Sequence, residues 1–189
     1  VLIEESRSMS LGAKYIVLDI ETTGLDYATD RVLEVAAIAV SADFSILDRF
    51  ESVVAAAGDW LCSEPIVQDM HTRNGLLAEC AAAYASGVDY SWPAVYSRLY
   101  LWLREVGPTA PRLVGNSVHF DRRFLSMQYA AIDKHLHHQH IDVSSLIHTM
   151  RCVGIPFRRA EASDHRAMPD ALASYATWME IMSVLRRGS

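Results

Sequence analysis

The sequence predicts an α/β fold in which helices pack on a mixed sheet. Three features carry that expectation: strand-like runs crowd the first fifty or so residues, helical periodicity takes over after residue 75, and strands and helices alternate from residue 112 onward. At 189 residues, 51% hydrophobic and 21% charged, the chain is long enough to bury one substantial core and short for two. One globular domain over residues 12–189 is expected, preceded by a loose tail over residues 1–11.

Tyr15 to Ile20 is an apolar, β-branched run that ends among Asp19, Glu21 and a Thr-Thr-Gly turn, so it reads as a buried strand with acids at its end. Arg31 to Val40 and Ile46 to Val54 read as two further strands, separated by the polar break Ser41 to Ser45, and the three suggest an antiparallel meander. Gly75 to Ala85 and Trp92 to Val106 have apolar spacing near 3.6; Ser91 is placed to cap the second, with Pro93 in its first turn. Pro108 and Pro111 break that helix, Arg112 to Gly115 form a short strand, and His119 to Ala131 return to helical spacing. A last strand, Gln139 to Asp142, precedes a helix over Ser144 to Cys152, and Pro169 opens a final helix running to about Leu185.

Composition narrows the function classes. No apolar run approaches the roughly 20 residues of a membrane span. The segment Val1 to Ser10 carries Glu4 and Glu5 and lacks the pattern of a secretory signal, so a cytoplasmic location is expected. Cys62, Cys80 and Cys152 form no C-x-x-C pair, which argues against a disulfide framework or zinc ribbon and makes them candidates for small core residues. The net charge of −6 points away from long duplex substrates, whose affinity comes from Lys and Arg. Bound cations can reverse that local field for a short substrate.

Asp19 and Glu21 lie two apart on the first strand, so both project from one face and can hold a cation together. Adjacent carboxylates repel unless a metal or proton intervenes, and hard oxygen ligands suit Mg²⁺ or Mn²⁺. A lone D-x-E is as readily a solvated strand end. Two further segments change the balance: Gly115-Asn116-Ser117-Val118-His119-Phe120-Asp121 places an acid early in a helix after a strand, and His165-Arg166-Ala167-Met168-Pro169-Asp170 sets a histidine five residues before another acid.

Taken in order, D-x-E, a distant Asp and H-x-A-x-x-D resemble the signature of the DEDDh exonucleases of the RNase H-like superfamily, over roughly residues 14–185. Within that group the blocks Gly115-Asn116-Ser117 with Asp121-Arg122-Arg123-Phe124-Leu125, and Ile141-Asp142-Val143-Ser144-Ser145-Leu146, look most like oligoribonuclease. The resemblance implies an RNase H-like mixed five-stranded sheet flanked by α-helices. It also implies two-metal hydrolysis of the 3′-terminal phosphodiester of short single-stranded RNA, with 5′-mononucleotides as products. By the same resemblance Asp19 bridges both ions, Glu21 and Asp170 complete one site, Asp121 serves the other, and His165 takes the proton of the attacking water.

The resemblance assigns substrate contacts as well. Leu25 matches an apolar wedge between terminal bases, the backbone of Thr22, Thr23 and Gly24 approaches the 3′ nucleotide, and His71 helps hold a 5′ phosphate. Asn116, Ser117 and Ser144 match positions around the phosphate, although Ser is equally an ordinary helix cap. A homodimer is implied, in which the segment His138 to Ser144 reaches a neighbour's site.

Three positions depart from the oligoribonuclease pattern: Thr22 stands for the usual Met, no aromatic residue precedes the His71 segment, and Gln139 lies near the place of an Arg. The first departure is closer to proofreading exonucleases, which keeps open a broader enzyme acting on single-stranded DNA or RNA. A non-catalytic nucleic-acid-binding module is the remaining alternative. The histidines His135, His137, His138 and His140 lack a supporting Cys or carboxylate pattern and read as a solvated or interface segment. Arg151, Arg158, Arg159 and Arg166 form a basic stretch that is either phosphate-attracting or a solvated loop. Trp92, Trp102 and Trp178 sit at helical spacings and read as core.

Overall fold

The computed structural model describes residues 11–56, 62–159 and 164–187. Strands β1 (Tyr15–Thr22), β2 (Val32–Val40), β3 (Ile46–Val53), β4 (Arg112–Gly115) and β5 (Ile141–Asp142) form one five-stranded sheet in the order β3-β2-β1-β4-β5. The expected meander is present: β1 pairs antiparallel with β2, and β2 with β3. β4 and β5 add in parallel on the other side of β1. The sheet is mixed, as the sequence predicts. The expected tail falls outside the described residues except for Leu11, which is exposed.

Helices α1 (Pro65–Arg73), α2 (Leu76–Ala85), α3 (Trp92–Val106), α4 (His119–Gln128), α5 (Ala130–His135), α6 (Val143–Cys152) and α7 (Ala167–Arg187) flank this sheet. Period-2 alternation of β1 sorts the core into two layers. Ile16, Leu18 and Ile20 face a cluster that includes Tyr96, Leu99 and Leu103 of α3 and Phe124 and Leu125 of α4. Val17 faces the opposite cluster, with Ile147 of α6 and Ala171, Trp178 and Ile181 of α7. β2 is buried at every residue, as a strand covered on both faces must be.

Several sequence expectations are corrected. α1 was not expected, because its inward anchor is the buried His71 rather than an apolar residue and no 3.6-residue apolar stripe marks it. Its one sequence signal is Pro65 in the first turn. The helix expected over His119 to Ala131 is two helices, since Tyr129 takes an extended φ of −152° and stacks its ring on Tyr96 at 5.0 Å. Gly75 precedes α2 with a left-handed φ of 81° instead of lying within it. Ser91 precedes α3 without a side-chain cap; its carbonyl accepts from the amide of Val95. Of the cysteines, Cys80 is buried, Cys62 half-buried and Cys152 exposed, so the last is not a core residue. Trp178 is buried, whereas Trp92 and Trp102 pack against the core only in part.

β1 outruns β4. Pairing with β4 ends at Val17 opposite Val114, while pairing with β2 continues to Thr22. The close crossing where they part requires Gly115, because a Cβ there would lie 2.8 Å from the Leu18 carbonyl oxygen. The free end of β1 opens a cleft.

Phe124 is fully buried and fixes α4 against the face of β1. We expect Phe124→Ala to lower unfolding free energy by about 3–5 kcal/mol in urea titration; a loss below about 1 kcal/mol contradicts that packing role.

Candidate active site

The free end of β1 positions the acids. Asp19 and Glu21 project from the same face as Val17, toward α7, where Asp170 lies in the first turn. One oxygen from each of Asp19, Glu21 and Asp170 lies within 4.8 Å of the others. Asp121 arrives from α4 on the opposite face and accepts a 3.0 Å hydrogen bond from the amide of Ile20. Its carboxylate thereby satisfies a backbone donor at the strand end that β4 leaves unpaired. All four acids, with His165, line one open cleft of about 650 Å³.

Burial and mutual repulsion make this cluster expensive to ionise. Burial pushes the Glu21 carboxyl from its ordinary 4.5 up to about 8, with Asp170, Glu34 and Asp121 adding repulsion. Burial raises Asp19 well above its usual range, and Asp121, Glu21 and Asp170 raise it further. Burial also raises Asp121, against the lowering effect of its bond from the Ile20 amide. Asp170 is raised by burial and held back chiefly by Arg159, whose Nη2 donates to its Oδ1 at 3.0 Å.

The segment carrying His165 is tied down by groups outside the cleft. His165 is exposed and adopts a left-handed φ of 47°. Asn74, which follows α1, donates to the carbonyls of Asp164 and His165 at 2.9 and 2.7 Å while its own Oδ1 accepts from the Leu76 amide at 3.0 Å. Next in sequence, Arg166 is clamped by the fully buried Glu34 and by Glu79, with guanidinium contacts of 2.7–3.2 Å. Glu34 also accepts from the amide of Ala167 at 2.9 Å, which starts α7 two residues before the expected Pro169. Arg166 is therefore a structural cation and not part of a phosphate-attracting loop.

The remaining predicted residues divide into two groups. Leu25, Asn116, Ser117 and Ser144 line the cleft; Leu25 is 74% exposed. The Asn116 amide donates to Ser174 at 2.6 Å, and the Ser117 and Ser144 hydroxyls lie 3.4 Å apart. By contrast the side chains of Thr22 and Thr23 turn inward, to the Gly24 carbonyl and to Asp30, and a Cβ at Gly24 would collide with the Asp30 carboxylate and Ser63 hydroxyl. His71 is wholly buried beneath the acids, its Nε2 3.1 Å from the Thr22 carbonyl and 3.7 Å from Glu21. In that position the side chain has no exposed surface and lies against Glu21 and the Thr22 carbonyl. His138 is exposed away from the cleft, and its carbonyl accepts from Arg122 at 3.0 Å. His135 sets Nε2 2.9 Å from the Gly107 carbonyl at the end of α3. Phe120 and Arg159 also line the cleft. Sequence reasoning had no role for Phe120, and it noted Arg159 only as part of a basic stretch.

An acid-lined cleft at the end of the central strand of a mixed sheet is a candidate site for a hard cation. A family model described as Exonuclease, of the RNase T type, matches residues 16–177, and the chain belongs to that family. It is 37% identical over 131 residues to the oligoribonuclease of Mycobacterium ulcerans, an alignment covering 68% of this chain and 60% of that protein. To the oligoribonuclease of Leifsonia xyli subsp. xyli it is 35% identical over 170 residues, covering 85% and 78%. The chain thus spans about 60% of the length of the mycobacterial relatives it matches. Among solved structures, E. coli Exonuclease I in complex with a 5cy-dT13 oligonucleotide matches with a TM-score of 0.64 at 18% identity, covering 88% of this chain and 40% of that one. This last likeness shows the fold alone.

The donor set fits a divalent cation: three carboxylates converge, each raised by burial, and a shared cation relieves the repulsion between them. An acid whose pKa is raised on folding keeps its stabilising share below its unfolded value and loses it as pH rises through the folded one. In chelator, the protein should lose thermal stability from Glu21 as pH climbs from 4.5 through about 8. Glu21→Gln should flatten that decline, and Mg²⁺ should reverse it in the unsubstituted protein. Melting curves at matched pH with and without Mg²⁺ check this; a pH slope unchanged by Glu21→Gln excludes the assignment.

Proposed function

We propose that the chain is a divalent-metal-dependent 3′-to-5′ exoribonuclease that degrades short RNA oligonucleotides to 5′-mononucleotides. The observation that carries this reading is the convergence of Asp19, Glu21 and Asp170 in a cleft also lined by Asp121 and His165. Membership of the exonuclease family and the oligoribonuclease names of the relatives support it.

In this reading Asp19, Glu21 and Asp170 would hold one divalent cation and Asp121 would serve a second, Mg²⁺ or Mn²⁺ in each case. Bound divalent ions would neutralise charge on the scissile phosphate and on the attacking and leaving oxygens. His165 accepts a proton from the attacking water, an imidazole being suited to that exchange near neutral pH. Water adds to phosphorus, the P–O3′ bond breaks, and the released nucleotide keeps its 5′ phosphate. Asn74 and the Glu34–Arg166 pair set where His165 stands. Leu25, projecting into the cleft, is the apolar wedge under the terminal base, and Ser117 and Ser144 offer hydroxyls to a phosphate. Thr22 to Gly24 contribute backbone only, since the two threonine hydroxyls bond inward.

The exposed segment around His138, whose backbone is anchored by Arg122, is the part that would reach a second copy of the chain in a homodimer. A second substrate reading, a broader exonuclease on single-stranded DNA or RNA, is favoured by Thr22 in place of the oligoribonuclease Met.

Asp19→Ala should abolish metal-dependent release of mononucleotides, and His165→Ala should lower kcat by about 10²–10⁴. Near-normal turnover in either removes the catalytic assignment. Hydrolysis of RNA dinucleotides, longer RNA and single-stranded DNA, measured side by side, should fall with length and with loss of the 2′-hydroxyl; indifference to both selects the broader enzyme.

A further inference from the structure

Two arginines approach the acids, and they are held very differently. Arg166 has a side chain 19% exposed and is locked between Glu34 and Glu79. Arg159 has a side chain 45% exposed and, among the described residues, makes its ion pair with Asp170 alone, whose own side chain is 10% exposed. It leaves from a stretch without regular secondary structure, so no helix or strand must break for it to move. The carboxylate it engages is one of the three whose oxygens converge within 4.8 Å.

A guanidinium at 3.0 Å from Asp170 Oδ1 is where positive charge is needed while no cation is bound, and where it opposes one that arrives. The two cations compete for the same carboxylate, and the exposed guanidinium is the weaker holder. Arg159 also has somewhere to go. It lines both the acid cleft and an adjoining open pocket of about 690 Å³, lined also by Arg151, Arg158 and Glu180, which leaves room for the side chain to swing off Asp170.

We propose that Arg159 is a displaceable counter-ion of the metal site: it neutralises Asp170 when no cation is bound and swings off that carboxylate as a divalent cation enters. The inference rests on the reading of Asp19, Glu21 and Asp170 as cation ligands. Arg159 lowers the affinity of the empty site and, in exchange, keeps the desolvated acids from facing each other uncompensated. It is a positioning residue for Asp170.

Mn²⁺ titration of the full chain, followed by electron paramagnetic resonance of the free ion, tests this without any substrate. Removing the competing cation in Arg159→Gln or Arg159→Ala should tighten Mn²⁺ binding roughly two- to fivefold, the range an exposed ion pair supports. Arg159→Lys should stay near the unsubstituted protein, and the gain should vanish when Arg159→Gln is combined with Asp170→Asn. Equal or weaker Mn²⁺ binding in both neutral variants, with folding checked by circular dichroism, overturns the proposal. A gain that survives Asp170→Asn overturns it too, by reducing the effect to general charge. If the unsubstituted protein binds no Mn²⁺, or Asp170→Asn binds it equally well, the cation-ligand reading itself fails, an outcome distinct from failure of the Arg159 role alone.

Discussion

Repulsion among carboxylates drawn into a desolvated cleft is the constraint on which the arrangement around the end of β1 depends. Asp19, Glu21, Asp121 and Asp170 come from one strand and two helices on opposite faces of the sheet, and burial raises all of them. Nothing in their own chemistry holds them together. Packing does so: α4 and α7 are fixed against the two faces of β1 by separate apolar clusters, and the acids are carried along at their margins. The apolar core thus stabilises a geometry that electrostatics alone opposes.

Around this cluster the protein distributes compensating groups by burial. The deepest is Glu34, which sits opposite Glu21 in the β1–β2 pairing and would add a further uncompensated charge were it not bonded to Arg166 and to the start of α7. A buried ion pair of this kind gives little net stability but penalises any rearrangement that would separate its members. It therefore fixes the residues on either side of Arg166, His165 and Ala167, relative to β2. Arg159, nearer solvent, is bound by a single carboxylate among the described residues and lacks that second restraint.

α1 supplies the other restraint. Its His71 lies under Glu21 and Thr22, and Asn74, just beyond its C-terminus, holds the backbone of Asp164 and His165. One short helix thereby links the first pair of acids to the histidine, across more than ninety positions of sequence. Its polar character follows from that work, because its inward contacts are to backbone carbonyls and a carboxylate rather than to apolar surface.

The sequence by itself determined the sheet, most helices and which acids and histidine would be brought to one cleft. Apolar β-branched runs, proline and glycine punctuation and the ordered D-x-E, Asp and H-x-A-x-x-D elements are local patterns, and local patterns survive in a linear string. What it could not carry was α1, whose buried face is a histidine, the break at Tyr129, which depends on stacking against Tyr96, and the burial of His71 beneath the acids. Nor could it tell Arg159 from Arg166, seven positions apart in one basic stretch. Their difference lies in which carboxylates surround each guanidinium and how far water reaches it. Those are properties of contacts between residues up to 132 positions apart, so only the tertiary structure decided them.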